Sequence, residues 1–118
     1  MVDLTKAKDL VEKIGSMESI VSATLVSRSG MYVAGGVPDG AHTETFVAMA
    51  AILLGSAETA ATEINEGLDN IAVNLKNSQI FIRGATEKTL LVICMKKDAG
   101  LEEVNAAVEK YLEGFDDD

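Results

Sequence analysis

The sequence is poor in the residues that most often carry chemistry or crosslink a fold. Its 118 residues include one cysteine, one histidine and one proline, no tryptophan, and only 4% aromatic side chains. A single cysteine excludes an internal disulfide and a zinc site built on cysteines. Because aromatic side chains are scarce while 47% of the residues are hydrophobic, we expect one mainly aliphatic core.

Basic residues are scarce as well. There are 10 lysines and arginines against 19 aspartates and glutamates, so the formal net charge is −9. Such a chain repels phosphate backbones and anionic bilayers, and we expect neither nucleic-acid binding nor direct membrane binding. The acidic residues 116–118 repel one another and have no apolar group to bury, which predicts a disordered tail after a single domain at residues 1–115.

A hydrophobic run long enough to span a membrane is also missing. The longest uncharged stretch, residues 45–57, has thirteen residues, whereas about 20 are needed to span a bilayer. Residues 1–6 carry charges without the apolar centre of a signal peptide. We therefore expect a cytoplasmic protein.

The chain divides into segments whose periodicity predicts their secondary structure. Apolar residues recur at steps of three and four in the helical segments, while short runs rich in β-branched residues are typical of strands. A turn at Gly30 joins the first two strands into a hairpin. The predicted elements are a helix at residues 3–15, strands at 19–27 and 31–34, a long helix at 41–66, strands at 70–76, 79–83 and 89–95, and a helix at 101–112.

This order of elements predicts one α+β domain around a central five-stranded antiparallel sheet. The long helix should cover one face of the sheet and the two terminal helices the other. Residues 90–95 are apolar on both faces, so their strand should lie in the centre of the sheet. Residues 70–75 alternate between apolar and polar, so their strand should lie at an edge.

The long helix has more apolar surface than one contact can bury. Residues 46–54 are nine consecutive apolar residues, whereas a surface helix needs a single apolar stripe. We assign to the sheet-facing stripe Phe46, Ala50, Leu53, Ala57, Ala60 and Ile64. The opposite side then carries Val47, Ala48, Ala51, Ile52 and Gly55.

That second side needs a cover, since leaving it in water forfeits roughly 25 cal/mol for each Å² of apolar surface. The simplest cover is a second copy of the chain, whose helix could approach closely over the small residues. A terminal helix of the same chain is the alternative. The edge strand also exposes unpaired backbone groups that a twin strand would satisfy. The predicted homodimer interface consists of Val47, Ala48, Ala51, Ile52 and Gly55 with Asn70, Ala72 and Asn74.

The residues that could carry catalysis lie in settings that disfavour it. His42 is the single histidine, and Glu44 is two positions away, where helical side chains point apart. Cys94 falls in the predicted central strand, where a buried thiol acts as a small hydrophobic side chain. The loop at residues 35–40 lacks the lysine of a phosphate-binding loop, and its Asp39 would repel phosphate. We predict no catalytic residue, no metal site and no cofactor, and hence a protein that is not an enzyme.

Three stretches of the sequence together resemble one known family. They are the hairpin at residues 23–34, the alanine-rich helix with Glu44, Ala48, Ala50, Ala51 and Gly67, and the strands from Arg83-Gly84 to Leu90-Leu91-Val92. With the order of elements, they resemble the roadblock/dynein light-chain family over almost the whole chain. The sequence departs from the family at Ser29-Gly30, where many relatives have Asp-Gly.

The resemblance implies a roadblock, profilin-like fold and a homodimer in which the long helices pack side by side and the edge strands join the two sheets. It also implies that the protein binds and regulates a Ras-like small GTPase, or scaffolds a complex containing one, without an active site of its own. No GTPase-contact residue can be assigned from it.

Two other classes of function stay open at this point. A small-molecule sensor is the main alternative, because five-stranded antiparallel sheets with flanking helices also host ligand pockets. The scarcity of aromatic side chains speaks against it. An enzyme that uses Asp39, His42 and Glu44 has the least support.

Overall fold

Three helices and five strands form within residues 3–116, the part of the chain that the computed structural model describes. In chain order they are α1 (Leu4–Gly15), β1 (Ile20–Ser27), β2 (Tyr32–Gly35), α2 (Thr43–Glu63), β3 (Ile71–Asn74), β4 (Ser78–Gly84), β5 (Thr89–Lys96) and α3 (Leu101–Leu112). This confirms the predicted order of elements. Asp117 and Asp118 lie outside the described residues, so the disordered tail stays a prediction.

The strands form one antiparallel sheet in the order β2-β1-β5-β4-β3. β5 lies at the centre between β1 and β4, and its residues 89–95 are all buried. β3 lies at an edge and pairs with β4 alone. The predicted α+β class, the central strand and the edge strand are all confirmed.

α1 and α3 cover one face of the sheet. The start of α1 is capped by Asp3, whose carboxylate accepts hydrogen bonds from the backbone amides of Thr5 at 2.9 Å and Lys6 at 3.3 Å. The core on this face includes Leu10, Ile14, Phe81, Leu91, Ile93, Met95, Val104 and Val108. Because both terminal helices are used on this face, neither covers α2 on the other.

α2 packs on the opposite face of the sheet. Its buried residues are Val47, Ala50 and Leu54. They form a second core with Val26, Ile82, Leu90 and Val92. The central strand β5 therefore contributes side chains to both cores, which explains why its sequence is apolar throughout.

The rotation of α2 about its own axis differs from the prediction. Leu53 and Ile64, which we assigned to the sheet-facing stripe, are 46% and 72% exposed, whereas Val47, which we assigned to the outer side, is 1% exposed. Both assignments are wrong. The middle of the helix is apolar all round, so its periodicity does not determine which residues face the sheet.

α2 is also shorter at both ends than predicted, and its last residue is Glu63. The helix stops there because Asn65 adopts a left-handed conformation with a φ of 58°. The backbone amides of Asn65 and Glu66 donate to the carbonyls of Thr62 and Ala61, each at 3.0 Å. This pair of bonds is a Schellman motif, so an asparagine ends the helix three residues before its predicted end at residue 66.

By length and composition alone, α2 passes as a helix that could cross a membrane, with a mean hydropathy of 1.4. A core helix of a soluble protein can have the same length and composition. Only 17% of the tested stretch is buried in the fold. Val47, Ala50 and Leu54 nevertheless anchor α2 to the sheet, so in this fold it is an element of the domain that leaves much apolar surface outside.

Gln79 holds the loop between β5 and α3 against β4. Its side-chain amide donates to the backbone carbonyls of Lys96 at 3.2 Å, Lys97 at 3.3 Å and Ala99 at 3.0 Å. We expect Gln79→Leu to lower the free energy of unfolding by about 1–3 kcal/mol, because these carbonyls lose their donor. Urea denaturation measures the loss. The nearly isosteric Gln79→Glu should lose at least as much, since a carboxylate cannot donate; wild-type stability in both variants would contradict this role.

Candidate interaction surface

The side of α2 that faces away from the sheet exposes large apolar side chains. Met49, Ile52 and Leu53 are 49%, 57% and 46% exposed, although all three lie in the middle of the helix. Apolar side chains that cluster on a surface mark interaction sites, whereas scattered ones do not. The fold therefore leaves uncovered a large part of the nine-residue apolar run.

An apolar groove lies between α2 and β4 and has a volume of about 160 Å³. It is lined by Phe46, Met49, Ala50, Leu53, Ile80, Ile82 and Val92. Because Met49 and Leu53 belong both to this lining and to the exposed side of α2, the groove and that side are continuous. We call the lining residues together the groove surface.

β3 borders the groove surface with an open sheet edge. Because β3 pairs with β4 alone, alternate backbone donors and acceptors along it point away from the sheet. Ile71 packs against the core beneath α2, and Val73 points to the same side. Ala72 and Asn74 point to the other face and are exposed.

The β1–β2 hairpin covers the other flank of α2. Its turn residue Gly30 lies so close that a Cβ built on it would be 3.3 Å from the Cα of Ala48 and 3.7 Å from the Cβ of Ala51. Arg28 fastens the same hairpin to α2, because its Nη1 donates to both carboxylate oxygens of Glu58 at 2.8 Å. The small size of Ala48 and Ala51 thus makes room for the chain's own hairpin.

The residues predicted for the dimer interface fall into three groups. Val47 is wrong as an interface residue, because it is buried against the sheet of its own chain at 1% exposure. Ala48 and Ala51 are half-buried beneath the hairpin. The remaining residues keep at least partial exposure: Ile52, Gly55, Asn70, Ala72 and Asn74.

Met49, Leu53 and Ile80 belong to the surface but were not predicted to do so. Their place depends on the rotation of α2, which its apolar pattern does not reveal. The signal that could have fixed the rotation is Gly30, since a turn glycine in close approach to a helix requires small residues beneath it. A rotation of α2 that places Ala48 beneath Gly30 also turns Leu53 away from the sheet.

His42 lies at the start of α2 as an exposed residue. Its Nδ1 is 3.2 Å from the hydroxyl oxygen of Thr45, whereas a catalytic base is usually oriented by a carboxylate. Asp39 and Glu44 are exposed as well. The structure therefore adds no support to the enzyme hypothesis.

Sites for metals and small molecules are poorly supported by the geometry. Within residues 3–116, no group of three or more His, Cys, Asp and Glu side chains could hold a metal ion. A cleft of about 540 Å³ lies beside the start of α3, and its lining includes Glu18, Lys96, Asp98 and Glu103. Because small-molecule sites are mostly apolar, this charged lining does not favour the sensor hypothesis.

Cys94 is buried in β5 at 6% exposure. Burial raises the pKa of its thiol above the usual value, and a hydrogen bond with the Ser78 side chain opposes that shift only in part. The thiolate is therefore disfavoured in the native state. This agrees with the prediction that Cys94 packs as a small hydrophobic side chain and is not a nucleophile.

The raised pKa of Cys94 predicts a pH dependence of stability. Since the folded protein holds the thiol proton more tightly than the unfolded chain, this contribution is fully present at neutral pH and is lost as pH rises above about 8.5. We expect the stability advantage of wild type over Cys94→Ala to shrink between about pH 7 and about pH 10. Urea denaturation at both pH values measures it, and a constant difference would contradict the shift.

Known proteins share this architecture. The sequence model of the Roadblock/LC7 domain matches residues 6–94. Among solved structures, the fold is similar to the gliding protein MglB from Thermus thermophilus, with 19% identity, a TM-score of 0.79 and coverage of 93% of this chain and 85% of that one. It is also similar to a Roadblock/LC7 domain from Streptomyces avermitilis, with 16% identity, a TM-score of 0.78 and coverage of 97% and 94%.

The likeness extends to profilin. Profilin from Schizosaccharomyces pombe aligns with 16% identity, a TM-score of 0.65 and coverage of 92% of this chain and 97% of that one. A search of curated protein sequences finds no significant match. At these identities the solved structures establish a common fold, and the predicted roadblock, profilin-like architecture is confirmed.

Proposed function

The chain belongs to the Roadblock/LC7 family, and from that premise we propose that it is a non-enzymatic interaction domain that acts in the cytoplasm as a homodimer. The dimer binds and regulates a Ras-like small GTPase, or scaffolds a complex that contains one. The observation that carries the proposal is the groove surface with the open edge of β3 beside it. A second copy of the chain would cover both at once.

A two-fold axis beside β3 brings the two features of each copy into contact. Such an axis sets β3 antiparallel to its twin, so that the open backbone groups of both strands can pair and the two sheets become continuous. The same operation turns the groove surface of each copy toward the other. Burying Met49 and Leu53 of both copies would contribute about 25 cal/mol for each Å² of apolar surface removed from water.

The proposed interface is shifted around α2 relative to the one predicted from the sequence. Met49 and Leu53 lie at its centre, and Ile52 lies at its border. Val47 is excluded because it is buried in its own chain. β3 contributes the backbone of Ala72 and Asn74, and Asn70, which directly precedes the strand, contributes its own.

Regulation of a GTPase by such a dimer needs no catalytic group from this chain. The part of α2 that such a dimer leaves exposed carries apolar and hydroxyl side chains, among them Ile52 and Ser56. Such a surface can hold a bound protein in one arrangement, and positioning alone alters the rate of a reaction within that protein. The support for a GTPase as the partner is the family resemblance.

The test is binding of the purified chain to purified Ras-like GTPases of the same organism, each loaded with GDP or a non-hydrolysable GTP analogue. Binding in one nucleotide state, with faster single-turnover GTP hydrolysis, supports regulation. Binding in both states with unchanged hydrolysis supports a scaffold. Failure to bind any of these GTPases in either state would refute the GTPase proposal. The dimer would then be tested separately, by the mass of the chain in solution.

A further inference from the structure

An open groove lies on the face of the domain opposite to α2, between α1 and the end of α3. It has a volume of about 140 Å³, and its lining includes Lys6, Leu10, Lys13, Tyr111 and Phe115. Leu10 is buried, whereas Tyr111 is exposed. We call this feature the α1–α3 groove. Because α1 and α3 cover the sheet face that the proposed dimer does not use, the groove stays accessible in the dimer.

The chain's own C-terminal segment already places an aromatic side chain in this groove. α3 ends at Leu112, and Gly114 then adopts a φ of 80°. The backbone amide of Phe115 donates to the carbonyl of Leu112 at 3.0 Å, so the chain turns directly after the helix. The Phe115 side chain packs against the core that α1 and α3 form with the sheet. The structure thus shows that the groove accepts an aromatic ring carried on a short non-helical segment.

This segment is held loosely. Phe115 remains partly exposed. A Cβ built on Gly114 would meet nothing within 4 Å, so no neighbouring atoms hold the turn before Phe115 in place. Segments near a chain end that bury little surface open locally at a low free-energy cost. Phe115 can therefore leave the groove while the rest of the domain stays folded, and another aromatic side chain can enter.

The charges beside the groove favour an acidic segment. α1 has three lysines against two carboxylates, whereas α2 and α3 each have more carboxylates than basic residues. Lys6 and Lys13 both line the groove. Within residues 3–116, Lys6 forms no ion pair. Lys13 pairs with Asp9 at 2.9 Å, but both side chains are more than half exposed, and such surface pairs contribute little. Both lysines can thus contact carboxylates of a bound segment.

We propose that the α1–α3 groove binds an extended segment of another protein in which an aromatic residue is followed by carboxylates. The aromatic ring takes the place of Phe115, and the carboxylates lie beside Lys6 and Lys13. The chain's own C-terminal segment has the same chemistry, because aspartates follow Phe115 at residues 116–118. It is therefore a built-in competitor, and the apparent affinity for the partner falls as Phe115 occupies the groove for a larger fraction of the time.

Such a groove would let the domain hold a further protein while α2 and β3 serve the proposed dimer. The inference does not depend on the proposed function, and the two can fail separately. A chain that binds the segment but stays monomeric would support the groove and contradict the dimer. A dimeric chain that binds no such segment would support the dimer and overturn the groove.

The test uses the full chain and a synthetic peptide, acetyl-Glu-Gly-Phe-Asp-Asp-Asp, which repeats residues 113–118. Amide chemical shifts of nitrogen-15-labelled protein measure the affinity and locate the site. Phe115→Ala should bind the peptide at least about tenfold more tightly than wild type, because its competing segment lacks the ring. The shifts should fall at Lys6, Lys13 and Tyr111. No binding to Phe115→Ala at about 1 mM peptide, or shifts on the face that carries α2, would overturn the proposal.

Two altered peptides test the chemistry of the ligand. Replacing the phenylalanine of the peptide with alanine should abolish binding, because the ring supplies the apolar contact. Replacing its three aspartates with lysines should weaken binding at least about tenfold. The net charge of −9 on the protein would by itself attract the lysine peptide, so this comparison separates the local lysines from the overall charge. Equal or tighter binding of either altered peptide would overturn the proposal.

Gly114→Ala tests the competition while keeping the Phe115 ring. An alanine disfavours a φ of 80° but meets no atom within 4 Å, so it weakens the turn without disturbing the core. This variant should bind the peptide at least about threefold more tightly than wild type. Gly40→Ala is the matched control, because Gly40 has a φ of 84° and equally open surroundings in the loop before α2. Equal affinities of Gly114→Ala, Gly40→Ala and wild type would overturn the competition.

The two lysines are tested in the Phe115→Ala background. Lys6→Gln together with Lys13→Gln should weaken binding of the acidic peptide at least about fivefold. Lys8→Gln together with Lys76→Gln is the matched control. It gives the same net charge and alters exposed residues, one of them on α1, but neither lines the groove. Its affinity should stay within about twofold of the parent. An equal loss in both pairs would show a general charge effect and overturn the site.

Discussion

Replacing Gly35 with alanine should lower the free energy of unfolding by at least about 3 kcal/mol. Gly35 ends β2 with a φ of 99°, a conformation that residues with a Cβ rarely adopt. A Cβ at this position would overlap the carbonyl oxygen of Ala23 and lie 3.0 Å from the Cα of Thr24. Because both atoms belong to the backbone of β1, no side-chain rotation relieves the contact, and β2 would have to move away.

The neighbouring Gly36 provides a matched control for this prediction. It is exposed, and a Cβ built on it would meet nothing within 4 Å. Gly36→Ala should therefore stay within about 0.5 kcal/mol of wild type in urea or thermal unfolding. Equal losses in the two variants, or wild-type stability of Gly35→Ala, would contradict the close approach of β2 to β1.

Leu53→Glu should dissociate the proposed dimer and raise its Kd at least about a hundredfold, because a buried charge without a partner costs about 3–5 kcal/mol. Leu53 is 46% exposed in the single chain, so the isolated domain should accept a glutamate there. In the dimer, each copy would bury one such carboxylate, and residues 39–75 offer no basic side chain to pair with it. Size-exclusion chromatography with light scattering measures the outcome.

Leu4→Glu is the matched control for the interface. Leu4 is also an exposed leucine, at 57%, but it lies in the first turn of α1 on the opposite side of the sheet. A negative charge is favourable at the start of a helix, so this variant should keep the mass of wild type. A dimeric Leu53→Glu variant, or a monomeric Leu4→Glu variant, would contradict the proposed interface.

The parts of the fold that could be predicted are those whose pattern has one physical explanation. Residues 90–95 are apolar on both faces, which only a strand covered on both sides can satisfy, and β5 is central. α3 has a narrow apolar stripe and a charged first turn, and it begins and ends at the predicted residues Leu101 and Leu112. In both cases the local sequence and the tertiary environment favour the same structure.

The rotation of α2 could not be predicted in the same way. Val47 and Leu53 are both apolar and lie in the same uncharged run, so two rotations satisfy the helical period equally well. What distinguishes them in the structure is contact with the distant hairpin, where Gly30 lies on Ala48 and Arg28 pairs with Glu58. Such contacts depend on how distant parts of the chain pack together, so the apolar pattern of α2 does not reveal them.

Only part of the candidate surface could be predicted from the sequence. The open edge at β3 followed from the alternation of residues 70–75, and the excess apolar surface of α2 followed from the run at 46–54. The groove beside β4 did not, because it depends on how far α2 extends over Ile80 and Ile82.

The mass of the purified, unmodified chain in solution tests the central claim most directly. Light scattering across a dilution series measures it without a label or a partner. The proposed dimer predicts a mass of twice 12.5 kDa, which falls toward the single-chain value only on strong dilution. A mass of 12.5 kDa at every concentration, including the highest reached, would contradict the dimer.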